Sequence, residues 1–151
     1  RCGSIDPGVV LYLQQAKSLS VQEISDLLYK KSGLLGVSGI SSDMRELIAS
    51  ADSRATEAID LFAYRAAREI GALATLLGGL DALVFTAGIG ENTPEVRSGI
   101  AAYLSWFGVA LDQDANQAAT TLISSAGSSA DVLVIPTDEE GVIANHVREY
   151  L

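Results

Sequence analysis

The 151-residue chain predicts an α/β fold. Two short aliphatic runs, Ala82-Leu83-Val84-Phe85 and Val132-Leu133-Val134-Ile135, are rich enough in β-formers for buried strands. Each is followed by a polar loop and then by apolar residues at helical spacing. The first run leads into Gly88-Ile89-Gly90-Glu91-Asn92, where a glycine turn at a strand's carboxyl end lets backbone N–H groups face an anionic or nucleotide ligand. A tight βα turn whose glycines only relieve crowding fits the same residues.

Taken in order, Arg1 to Pro7 is polar and turn-rich, and Val9 to Leu13 predicts a short helix after the Asp6-Pro7-Gly8 entry signal. Ser20-Val21-Gln22-Glu23 is a capping box for a helix through Ile24, Leu27 and Leu28, with Lys30 and Lys31 at its end and Ser32-Gly33 breaking it. Gly33 to Ser42 reads as a loop of small side chains. A helix capped by Ser42 or Asp43 follows. Ser53 to Leu77 predicts one long amphipathic helix stopped by Gly78-Gly79.

After the central strand, Thr93-Pro94 opens a helix to Leu104 with Val96, Ile100 and Tyr103 on one face. Val109 to Leu111 suggests a short strand and Asp114 to Leu122 a helix. The four apolar residues from Val132 read as a strand covered on both faces. Asp138-Glu139-Glu140 follows it, and Val142 to Tyr150 closes the chain as a helix. Ligands of such folds bind at the carboxyl ends of strands, where both conspicuous polar clusters lie.

Composition narrows the function. Lys plus Arg number 10 against 19 Asp plus Glu, a net charge of −9, which argues against nucleic acid and anionic membrane partners. Hydrophobic residues make up 48% of the chain, which argues against disorder. The lone Cys2 excludes an internal disulfide and points to a reducing, cytoplasmic setting. No apolar run approaches a membrane span. The chain opens at Arg1 rather than Met, as a fragment or processed product would. A Walker-type P-loop is absent, and the single histidine, His146, reads as a solvated helix-face residue. Gly88, Gly90 and Asp112, about 20 residues on, keep open a nicotinamide-dinucleotide oxidoreductase domain, although Thr93 stands at the third glycine position.

Four segments in fixed order, RCGSIDPG, SGISSDMRE, VFTAGIGENTPEVR and IPTDEEGVIA, closely resemble the C-terminal part of the acetokinase family of acetate and propionate kinases. The resemblance covers essentially the whole chain, so 1–151 is expected to form the nucleotide-binding portion of an actin-like, ribonuclease H-like ATPase fold. Family members are much longer. Their N-terminal half, which holds most of the carboxylate site, lies outside this chain, so these residues are expected to be inactive alone.

The resemblance implies transfer of the γ-phosphoryl group of ATP, with Mg²⁺, to a short-chain carboxylate, giving an acyl phosphate and ADP, in a cytoplasmic homodimer. It implies that Arg1 stabilises the transferring phosphoryl group. Asp43, Met44 and Arg45 match a nucleotide-contacting segment, and Gly88, Ile89, Gly90, Glu91 and Asn92 match an adenosine motif. Glu139 matches a Mg²⁺ glutamate. Read from the residues alone, Arg1 is a frayed terminal residue, Asp43 a helix cap and Arg45 a solvated charge, while Asp138 to Glu140 is an acidic helix N-terminus, a reading that holds together with the metal role. The family commonly has Asn where Asp138 stands and an aliphatic residue where Gly141 stands. Cys2 and Ser4 replace the usual Ser and Asp of the first segment. A non-catalytic nucleotide-binding module is a further reading.

Overall fold

The computed structural model describes residues 1–150 and divides into two compact units, Arg1–Phe62 and Ala63–Leu151. The first unit is helical. Helix α1 (Pro7–Gln15) starts at an Asp6 cap, with Pro7 at its first position. Helix α2 (Val21–Lys30) carries the predicted capping box, each of Ser20 and Glu23 bonding the other's backbone N–H. Gly33–Ser38 is helical (α3), not the loop its small residues suggest. Its ends explain this: Gly33 and Gly39 both take left-handed φ values at its borders, and Ser38 Oγ donates back to Leu34 O at 2.7 Å. Helix α4 (Met44–Ile48) follows. Leu47, Ala55 and Ala58 form this unit's core with Leu34 and Ile59 against them.

Helix α5 (Ser53–Leu77) runs unbroken to Gly78, as its spacing predicts. In the second unit, strands β1 (Ala82–Phe85) and β2 (Asp131–Val134) pair in parallel, Ala82 opposite Asp131 and Phe85 opposite Val134. Between them come α6 (Ala87–Asn92), α7 (Pro94–Tyr103), a 3₁₀ turn over Ser105–Phe107 and α8 (Gln113–Gln117); α9 (Glu139–Glu149) follows β2. Phe85, Val96, Ile100, Leu104, Ile123, Val132 and Val134 are buried. Helix α7 closes on α5 at Gly99, where an added Cβ would stand 3.2 Å from Ala63 Cβ.

Three expectations change here. The segment Val109 to Leu111 forms no strand. Leu111 makes a single antiparallel bridge to Ser124, because the backbone of 110–112 is shared with the 123–125 turn. Helix α8 ends at Gln117, short of the expected Leu122, because 121–123 instead hydrogen-bonds the second edge of β2 through Ile123 N to Val132 O and Val134 N to Thr121 O. Among the described residues the expected cover on both faces of Val132 to Ile135 is incomplete: Val132 and Val134 are buried, Leu133 is half-buried and Ile135 is 43% exposed. No helix among the described residues is long and apolar enough to cross a membrane.

Leu104, 1% exposed, should be a strong anchor. Leu104→Ala is expected to lower stability by about 2–5 kcal/mol, read as a lower denaturant midpoint.

Candidate functional site

Parallel pairing makes both strands end at the same sheet edge. Ile135 N donates to Phe85 O at 2.9 Å, holding the two exits side by side. After β1 the chain turns through Ala87, at φ 59, a left-handed value uncommon for a residue with a Cβ, and winds at once into α6. After β2, Asp138 Oδ1 accepts from Gly141 N at 2.9 Å and caps α9. Glu91 joins the two exits: its Oε1 accepts from both Thr137 N and Thr137 Oγ1, each at 2.9 Å. The backbone donor first, and then the hydroxyl, holds the Glu91 carboxyl below its ordinary pKa. Ala87, Gly88, Thr137, Asp138, Glu139 and Glu140 line an open depression of about 450 Å³.

The glycine motif is therefore a short helix, not a turn that delays the helix to Pro94. Its two glycines do different work. A Cβ on Gly90 would lie 3.2 Å from Phe85 C, so this glycine lets α6 pack on β1. A Cβ on Gly88 would meet nothing within 4 Å among the described residues, and the glycine lies at the depression. Asn92 is exposed and donates from Nδ2 to Gly88 O at 2.9 Å, one turn along the same face. Ile89 is half-buried, and its carbonyl accepts from the Thr93 hydroxyl. Thr93 therefore bonds back into α6 and does not cap α7 with its side chain.

Glu139 and Glu140 stand exposed in the first turn of α9, where the helix dipole favours negative charge. Among the described residues no group of three or more His, Cys, Asp or Glu could hold a metal ion alone. One exposed carboxylate beside a depression still fits Mg²⁺ as nucleotide enzymes take it, with phosphate oxygens and water filling the other positions.

In the first unit, Asp43 caps α4 by accepting from Arg45 N at 2.9 Å, and Arg45 returns a fork, Nε to Oδ1 at 3.1 Å and Nη2 to Oδ2 at 2.6 Å. The Arg45 donors hold the Asp43 carboxyl down at about 2. Asp52 and Arg54 repeat this arrangement at the start of α5, with the Asp52 carboxyl also at about 2. The fork holds the edge of the Arg45 guanidinium and leaves its faces free for stacking. Met44, 4% exposed, is part of the first unit's interior and not a surface contact. Arg1 is exposed, and its carbonyl would stand 2.5 Å from a Cβ on Gly33, so only glycine fits there.

Two other residues need comment. Asp112, the acid of the dinucleotide pattern, caps α8 by accepting from Ala115 N at 3.0 Å. Arg97 was given no role from sequence, yet it is fully buried and bonds the Gly90 and Glu91 carbonyls. Its place on the α7 face shared with Ile100, Ala101 and Leu104 was the available signal: a charged residue at core spacing.

Comparison with known proteins gives one answer. The acetokinase family model matches residues 1–145. The acetate kinase of Rhodopseudomonas palustris is 58% identical over 149 residues, covering 97% of this chain and 37% of its own length. That of Rickettsia prowazekii is 51% identical over 151 residues, covering 100% and 39%. Among solved structures, Porphyromonas gingivalis acetate kinase superposes with TM-score 0.88 at 41% identity, over 99% of this chain and 39% of that one. A propionate kinase from Francisella tularensis gives the same score and identity, over 95% and 38%. The chain thus spans well under half the length of these relatives and corresponds to their C-terminal part.

Asp43 and Asp52 should titrate near pH 2 by carboxyl-carbon NMR. Because both values are depressed on folding, the stability they add is whole above the ordinary aspartate value and is lost as pH falls through about 2. Arg45→Ala should return Asp43 toward its ordinary value and leave Asp52 unmoved. The glycines make a second test. Gly90→Ala should lower the melting temperature by several degrees, on the order of a 1 kcal/mol loss. Gly88→Ala should leave it unchanged.

Proposed function

The chain belongs to the acetokinase family, and from that membership we propose that residues 1–151 form the nucleotide-binding part of a reversible ATP:acetate phosphotransferase making acetyl phosphate and ADP. The observation that carries the reading is the shared sheet edge, where Gly88 and Glu139 line one depression and Asn92 holds the Gly88 carbonyl.

The roles follow from the chemistry of each group. Gly88 lets a nucleotide approach the backbone, and Asn92 keeps its carbonyl oxygen as an acceptor while its amide holds Gly88. Asp43 accepts from a ribose hydroxyl or an adenine amine, and the Arg45 guanidinium offers a flat face to the base. Gly90 and Glu91 act one step back, Gly90 by seating α6 on β1 and Glu91 by tying α6 to Thr137. In the reaction a carboxylate oxygen attacks the γ-phosphorus as its bond to the β-γ bridging oxygen breaks. Charge spreads over the equatorial oxygens, and the Arg1 guanidinium neutralises it. Glu139 would hold Mg²⁺, which would offset the negative charge of the phosphates.

The groups that accept the carboxylate belong to the rest of such a kinase, so acetate is the first assignment and propionate the second, favoured by the equal likeness to the Francisella propionate kinase. A cytoplasmic homodimer completes the reading.

Calorimetric titration with ADP and Mg²⁺ tests the nucleotide site in the protein as its gene encodes it. Saturable binding is expected, weakened about tenfold, or ~1.4 kcal/mol, by Asn92→Ala. With ATP, Mg²⁺ and acetate or propionate, hydroxylamine trapping should reveal an acyl phosphate. No trapped product from either acid, or quenching of NADH fluorescence without a response to ATP, would sink the proposal.

A further inference from the structure

We propose that Arg97 is a positioning residue for the nucleotide site, its guanidinium locking the Gly88–Asn92 helix into the shape that receives the ligand. The inference rests on the nucleotide reading above. Arg97 is 0% exposed, and no ion pair to a carboxylate is found for it among the described residues. A buried guanidinium without a carboxylate demands oxygens on its N–H groups, and it has them. Nη1 donates to Gly90 O at 2.8 Å and to Glu91 O at 2.9 Å; Nε donates to Asn116 Oδ1 at 2.7 Å and Nη2 to Asn116 O at 2.5 Å.

The identity of those carbonyls matters. Gly90 and Glu91 lie in the last turn of α6, and Asn116 lies in the last turn of α8. These are the carbonyls a helix leaves without internal partners, at the negative ends of two dipoles. One cation therefore closes two helix ends at once. A six-residue helix cannot hold itself in water. Helix α6 depends on outside restraints, among them the Arg97 fork inside the protein and the Glu91–Thr137 bond at its surface. Gly88 and Asn92 ride on this helix, so their spacing depends on the fork. Asn116 supports it in turn, donating from Nδ2 to Pro94 O at 3.1 Å and to Ser98 Oγ at 2.9 Å. A lysine would bring the charge without the fork, a point donor unable to span carbonyls on two helices.

The test uses the protein as its gene encodes it, with Arg97→Lys and Asn116→Ala compared for melting temperature, for KM of ATP and of the carboxylate, and for ADP affinity. Folded Arg97→Lys should raise the KM for ATP tenfold or more while the carboxylate KM stays within twofold. Asn116→Ala leaves Gly90 and Glu91 their donor; it should lower the melting temperature and move the ATP KM less than threefold. Should Arg97→Lys fail to fold, the unsubstituted protein still answers: the Arg97 Nε–H resonance should shift as Mg²⁺-ADP is added. A folded Arg97→Lys with unchanged ATP KM overturns the inference. So does a parallel loss of stability and ATP affinity in both variants, or an Nε–H signal that saturating ADP leaves in place. If the unsubstituted protein binds no ADP, the nucleotide reading itself falls and takes this inference with it. Normal ADP binding by both the unsubstituted protein and Arg97→Lys removes this inference alone.

Discussion

Parallel pairing of β1 with β2 sets the position of everything at the candidate site, because two strands running the same way must release their loops at the same edge. With Phe85 opposite Val134, and Ile135 N bonded to Phe85 O, the segments beginning at Thr86 and Pro136 leave side by side. They come from sequence positions fifty residues apart, so no local propensity could bring Gly88 near Glu139. A register slip of one residue would turn Phe85 out of the interior and separate the loops. The burial of Phe85, Val132 and Val134 opposes that slip, and so the hydrophobic core fixes the geometry of a polar site.

The second requirement is electrostatic. A guanidinium placed fully inside a protein is costly unless its donors are occupied, and the second unit occupies those of Arg97 with carbonyls at the ends of two short helices and with the Asn116 side chain. The demands of the buried cation and of two short helix ends cancel one another. The arrangement is directional as well as stabilising, since the planar fork accepts only one relative placement of α6 and α8.

Much of this was legible in the sequence, and what was not has identifiable causes. The strand Ala82–Phe85, the capping box at Ser20, the long helix to Leu77 and its glycine stop all follow from local patterns. The motif segments reveal the family because their order and length exceed chance. Contacts distant in sequence were hidden. Glycine-rich Gly33–Ser38 reads as loop by propensity yet is helical, because Gly33 and Gly39 take the left-handed turns at its borders and Ser38 ties back to Leu34. The segment 121–123 was drawn from helix to sheet by the open edge of β2. Within the site, sequence grouped Gly88 with Gly90 and could not tell the one that seats a helix from the one that opens on the depression. Asp43 and Arg45 were legible as a pair, but their twin at Asp52 and Arg54 shows that the pairing alone is a capping device. Location has to carry any further meaning.

The bond from Glu91 to Thr137 gives the site a mechanical property. Strand β1, helix α6, Glu91, Thr137 and strand β2 form a closed ring: the sheet joins it on one side and two hydrogen bonds on the other. A segment pinned at both ends cannot swing alone. A displacement of α6 therefore pulls on Thr137, two residues before α9, through the Glu91 carboxylate.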